Sequence, residues 1–275
     1  MAQEAPLRRY VFLGALFLCS FLLPVWVLSF LLKDSAPTIT SEQDPVFPQS
    51  LPVRSRGAFF TVATHEHLTP REGRDFILFG WFKFDVLPEP DKEAVIISKI
   101  DSSRPLRPGF SIEIARHGDS FRPSVYWKNA DGKGGRYEFN EFKLSVRQWY
   151  AMVLSYQQPT VLGFHLVTID EQEKPTWTLL GGYQLRVPVF PATNVPLQIG
   201  APQLGTFRGS IGPVGVISGK KITSDMKDVL KKLARDPLHI QSAFREEDIV
   251  FLTVDGQTDL SNQHLEINQS TKIAS

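Results

Sequence analysis

Carboxylates two residues apart are the first chemistry the sequence offers. Glu89-Pro90-Asp91-Lys92-Glu93 alternates acids with other residues, and in an extended chain a period of two puts all three on one face. Glycosidic hydrolysis needs two carboxyls flanking the bond, about 5–5.5 or 6.5–9.5 Å apart. Pro88 and Pro90 bracket the run. Proline removes a donor from a strand ladder, so the segment reads as a charged turn rather than a catalytic strand. His65-Glu66-His67 would share a face if extended, as metal-holding imidazoles do. No cysteine or third spaced histidine joins them, and they read as a solvent-facing strand end. Val216 to Thr223 has the Gly-Lys of a phosphate loop but lacks its spacer and the hydroxyl residue directly after the lysine. No Gly-x-Ser-x-Gly elbow occurs.

Tyr126-Trp127-Lys128-Asn129-Ala130-Asp131 sets aromatic faces beside an amide and a carboxylate, the groups that hold a sugar. Tyr126, Trp127, Asn129 and Asp131 are therefore candidate ligand-binding residues at a strand end. A competing reading puts Trp127 in the core, because Val125 and Trp127 share a face.

The elements that would position these groups are strands. Phe76 to Asp85 is apolar on both faces, which suits a central strand of a two-layer fold. Phe110, Ile112 and Ile114 alternate with Ser111, Glu113 and Ala115. Strand-like runs continue at Trp149–Tyr156, Gly163–Asp170, Thr176–Gln184, Val195–Gly200, Ile211–Ser218 and Ile249–Val254. Pro105, Pro108, Gly132, Gly134, Gly135, Pro159 and Pro175 punctuate them as loop residues. One helix is expected at Ser224–Leu233. There Met226, Val229, Leu230 and Leu233 share a face, Lys231, Lys232 and Arg235 crowd the C-terminal end, and Pro237 stops it. About ten short strands and one late helix predict an all-β sandwich.

Several of these runs resemble, in order, the strands of LamG-like domains of the concanavalin A-like lectin/glucanase superfamily. They are Phe76–Phe84, Ala94–Asp101, Gly109–Arg116, Arg147–Tyr156 with Trp149 as anchor, Pro196–Gly200 and Arg208–Ser218. The resemblance covers roughly residues 58–234. It departs at Gly212-Pro213, where the family has Asp or Asn, and at Leu166–Asp170, which replaces a hairpin. It implies a jelly-roll sandwich of two antiparallel sheets with Trp149 in the core. It implies little about function, since the superfamily holds lectins, hydrolases and adhesion modules. Its hydrolases carry acids at the spacing of Glu89, Asp91 and Glu93. Its relatives often bind calcium through loop acids, which here would be Asp101, Asp131, Asp170 and Asp255. No other cofactor is expected.

Tyr10 to Leu32 contains no charged residue. Its 23 residues would span roughly 34 Å as a helix, enough for a hydrocarbon core of about 30 Å. The run is longer than a signal-peptide core, and Phe30, Leu31 and Leu32 at its exit are too bulky for a small-residue cleavage site. Arg8 and Arg9 precede it, while Asp34 offsets Lys33, so the N-terminus is expected in the cytoplasm and the rest outside. The expected organisation is a cytoplasmic tail at 1–9, a transmembrane anchor at 10–32, a stalk at 33–52 rich in Pro, Ser and Thr, and the sandwich with its polar tail at 53–275.

Composition excludes other classes. A net charge of +1 gives no basic face for nucleic acid. A single cysteine, Cys19, excludes a disulfide framework. The expected function is a membrane-anchored, extracytoplasmic, non-catalytic binding module whose ligand is a glycan or an envelope protein. The alternatives are a structural or assembly subunit of an envelope complex and a polysaccharide-active hydrolase with an atypical site.

Overall fold

The computed structural model describes residues 51–53, 58–90, 92–157, 160–169, 175–200, 207–219, 248–253, 259–261 and 263–271. All of them belong to the unit Asp44–Ser275. The anchor expected at Tyr10–Leu32 and the helix expected at Ser224–Leu233 lie outside these residues. Among the described residues, no helix is long and apolar enough to cross a membrane.

A strand that is apolar on both faces must be covered on both, and Asp75–Phe84 is central for that reason. In chain order the described strands are β1 (Leu51–Val53), β2 (Ala58–Val62), β3 (Asp75–Phe84), β4 (Glu93–Ile100), β5 (Gly109–His117), β6 (Ser120–Lys128) and β7 (Gly134–Glu138). They continue with β8 (Trp149–Gln157), β9 (Val161–Ile169), β10 (Pro175–Gln184), β11 (Leu197–Ile199), β12 (Gly209–Gly219), β13 (Ile249–Thr253) and β14 (Ile267–Thr271). One seven-stranded sheet runs β1-β12-β3-β8-β9-β10, with β13 also on β12. The other runs β14-β2-β11-β4-β5-β6-β7. Every pairing is antiparallel.

The two sheets bury one continuous apolar core. Phe76, Leu78, Phe82, Tyr150, Met152, Leu154, Leu162 and Phe164 come from the first sheet. Phe60, Val62, Ile112, Ile114, Val125 and Trp127 come from the second. Each such side chain contributes roughly 1.5–3 kcal/mol when fully buried. A second cluster of Trp81, Trp149, Ala151 and Val167 lies apart from that core. Cross-strand register puts Trp81 opposite Ala151 and Ala151 opposite Val167. Trp149 is thus buried as expected, 4% exposed, but on the far face of its sheet, with the Lys83 ammonium 5.2 Å from its ring centre.

Several local expectations shift. Gly134 and Gly135 begin β7 rather than lying in a loop, and Pro175 opens β10, an edge strand where a missing donor is tolerated. Gly212-Pro213 falls within the register shift between Ile211 and Val214. A bulge is where a strand accepts proline, so Gly212-Pro213 sits inside β12 rather than at a turn. Glu66–Leu68 forms a 3-10 turn rather than a strand end. His65 caps it by accepting from the His67 N–H at 3.3 Å.

Candidate functional site

The aromatic segment resolves into framework roles. Trp127 is fully buried. Its indole N–H donates to the Val189 carbonyl at 3.0 Å, and its ring lies 5.3 Å from Tyr156 and 5.9 Å from Phe110. Period two requires this, since Phe121, Val125 and Trp127 of β6 all enter the core. The ring therefore has no face for a ligand, and the core reading of Trp127 holds. Tyr126 points the other way, and its hydroxyl donates to the Arg107 carbonyl at 2.9 Å. Asn129 shapes the β6–β7 turn, its side-chain oxygen accepting from the N–H groups of Asp131 and Lys133. The chain then approaches itself closely. At Gly134, with φ +104°, a Cβ would stand 2.0 Å from the Trp127 carbonyl oxygen, so only glycine fits. Asp131 is solvent-exposed.

Of the four loop acids, Asp101 and Asp131 lie among the described residues. Asp101 accepts from the Ser103 N–H at 3.1 Å and hydroxyl at 2.5 Å and pairs with Arg104 at 3.0 Å. Ser103 first, and Arg104 after it, hold its carboxyl below the usual range. Asp170 and Asp255 lie outside the described residues, as does Asp91 of the acidic run. Lys92 pairs with Glu89 at 2.5 Å, and Glu93 belongs to β4. Among the described residues, no three His, Cys, Asp or Glu side chains come together to hold a metal.

A different group of residues does come together, on the outer face of the second sheet. Inward residues of β5 are Phe110, Ile112 and Ile114, which leaves Ser111, Glu113 and Ala115 outward. Register then aligns Glu113 with Ser124, and Ser124 with Glu138. The next row aligns Asn268, Thr61, Gln198, Ser98, Ser111, Tyr126 and Arg136, a polar line across all seven strands. Arg136 of β7 reaches over β6 to Glu113 on β5 and Glu93 on β4, with Nη2 2.8 Å from Glu93 Oε2.

Burial holds the Glu113 carboxyl above the usual range, against the opposing pull of Ser111 and Arg136. Ser111 donates to it at 2.5 Å. Arg122 forms a second fork, at 3.0 Å to Glu138 and 2.6 Å to Glu141. The Ser120 hydroxyl also donates to Glu141. Ser120 first, then Arg122, holds the Glu141 carboxyl low. Beside this fork lies a cleft of about 490 Å³ lined by Arg122, Glu138, Phe139, Asn140, Glu141 and Tyr183. The Tyr183 hydroxyl is fixed on the Glu138 carbonyl, and its ring packs 5.1 Å from Tyr137 and 5.3 Å from Phe139.

Sequence reading missed this group because its members are dispersed, from Glu93 to Tyr183, and only register joins them. The one signal available was the alternation in β5, which placed Ser111 and Glu113 on a common face.

No family model matches the sequence, and no curated protein matches it. Solved structures do. The Ruminococcus gnavus IT-sialidase CBM40 bound to α2,3-sialyllactose matches at 12% identity and TM-score 0.41, over 65% of this chain and 92% of that one. Domains LG4-5 of the mouse laminin α1 chain match at 12% identity and TM-score 0.38, over 61% of this chain and 40% of that one. Full-length tailspike protein 2 of an Escherichia coli O157:H7 bacteriophage matches at 12% identity and TM-score 0.44, over 74% of this chain and 30% of that one. The chain spans less than half the length of the laminin and tailspike structures. At these values the likenesses assign no role to any residue.

Proposed function

We propose that the chain is a membrane-anchored, extracytoplasmic, non-catalytic module that binds a glycan on the outer face of β5–β7 and in the adjoining cleft. The observation that carries this is the cleft's lining, in which Arg122, Glu138, Asn140 and Glu141 offer donors and acceptors beside the Tyr183 ring. Sugar sites combine a few convergent polar groups with an aromatic surface.

The state of the carboxyls favours binding over hydrolysis. A general acid needs a raised pKa and reach to the scissile oxygen. Glu141 is held low, while Glu113, which is raised, sits 5% exposed under Arg136. The anchor and outward placement rest on the uncharged run Tyr10–Leu32 and the basic residues before it.

The test is a glycan array probed with the full chain, paired with a reducing-end assay on any saccharide that binds. Binding without release of new reducing ends supports the reading. Turnover refutes the non-catalytic part, and a blank array refutes the ligand class.

A structural or assembly role is the second reading, and one observation favours it. On the opposite sheet Leu179 is 58% exposed, opposite His165, whose ring lies 4.8 Å from that of Trp177. That apolar edge suits a protein partner better than a sugar.

A further inference from the structure

Ser124 is an anomaly on the polar face. It is 4% exposed, and among the described residues its hydroxyl has no hydrogen-bond partner. A buried hydroxyl left unpaired costs about 1–3 kcal/mol, and each such group in a folded protein calls for an explanation. Its register neighbours are Glu113 on one side and Glu138 on the other. Glu113 is fully engaged by Ser111 and Arg136. Glu138 accepts from Arg122 through Oε2, which leaves Oε1 without a donor among the described residues. Register thus sets Ser124, with its unpartnered hydroxyl, directly across from Glu138 on the next strand of the same face.

The surrounding charge decides what they would accept. Among the described residues, the ion pairs of Glu93, Glu113, Glu138 and Glu141 run to Arg122 and Arg136. Four carboxyls thus share two guanidiniums. Complementarity of charge sets specificity at such a face, so a ligand carboxylate is repelled and a cation attracted. A bare metal ion lacks its ligand set here, whereas an ammonium needs acceptors only.

We infer that this face, taken as the glycan site proposed above, selects a saccharide carrying a free amino group. Its ammonium docks on Glu138 Oε1 and the Ser124 hydroxyl while the sugar ring lies in the cleft toward Tyr183. Arg136, whose side chain is 39% exposed, is the group that shifts to admit it. No covalent step is involved.

The experiment is calorimetric titration of the full chain with four probes: fully deacetylated chitotriose, its N-acetylated counterpart, trigalacturonate and short polylysine. The inference expects deacetylated chitotriose to bind about tenfold or more tighter than the acetylated form, the worth of a charge-assisted hydrogen bond. Glu138→Gln should abolish that preference with unchanged melting, because the side chain is exposed. Ser124→Ala should weaken the deacetylated probe selectively without loss of stability. Equal or tighter binding of the acetylated or acidic trisaccharide overturns the inference and leaves the glycan reading standing. Binding of polylysine alone overturns the saccharide reading together with it. Binding of none of the four, beside a positive glycan array, overturns the inference only.

Discussion

Lys99 permits the sharpest test of the packing argument. It is fully buried, and its ammonium donates to the Val195 carbonyl. No carboxylate is paired with it among the described residues. Register places it opposite Phe110, a core residue, so its stem enters the sandwich. Burial drives its pKa down to about 8 from 10.5. At about 1.36 kcal/mol per pKa unit, holding the charge inside costs about 3 kcal/mol at neutral pH. The sign follows from proton counts. Between pH 8 and 10.5 the unfolded chain binds more protons than the folded one, so stability rises with pH across that window. The penalty is complete below pH 8 and gone above 10.5. Lys99→Met removes the charge but strands the Val195 carbonyl, at about 1 kcal/mol. The variant should therefore be about 2 kcal/mol more stable than the parent at pH 7. Urea melts at pH 8 and 9.5 measure the rest. The parent should gain about 1–2 kcal/mol relative to the variant between those values. A variant less stable at pH 7, or a pH-independent difference, would refute the placement of an unpaired ammonium in the core.

Trp127→Ala should cost about 3–5 kcal/mol and prevent Val189 from pairing, read as a matching fall in the denaturant midpoint. Gly209→Ala should prevent stable folding, since its Cβ would lie 1.8 Å from the Lys83 carbonyl oxygen; soluble yield and thermal melting check this. Burial lowers the His165 pKa to about 4 from 6.5, so its contribution to stability is present above pH 6.5 and lost as pH falls toward 4. Its ring protons should show no titration between pH 6 and 8 by NMR. Ser124→Ala, which replaces an unpaired buried hydroxyl with a methyl, should be neutral or stabilising in the same melts.

What the sequence revealed, and what it concealed, divides along physical lines. Alternation in Gly109–Arg116 and the two-faced apolarity of Phe76–Phe84 gave the sandwich, because both patterns are local consequences of burial. Strand β6 was harder. Pro123 interrupts it, yet its ring sits in the sheet opposite Ile114. The β2 and β14 pairing joins residues about two hundred positions apart, beyond any local signal. The same holds for Glu93, Glu113, Ser124 and Arg136, which nothing but register unites. The Tyr126–Asp131 segment carried two readings for a complementary reason: turn chemistry at Asn129 and core packing at Trp127 use the same residue types as sugar recognition.

The pairing of β14 (Ile267–Thr271) with β2 (Ala58–Val62) bears on how the chain comes to be folded at all. Strand β2 cannot complete its ladder until residue 271 has been synthesised, and β12 must likewise emerge before β3 finds one of its two neighbours. Contacts this distant carry a large loop-closure cost and place the domain among slow folders. On the ribosome, almost the whole second sheet therefore waits with an open edge at β2, a template for mispairing. Deletion of the last ten residues, which removes β14 and leaves the β2 edge open, should shift the chain from the native pool to aggregates.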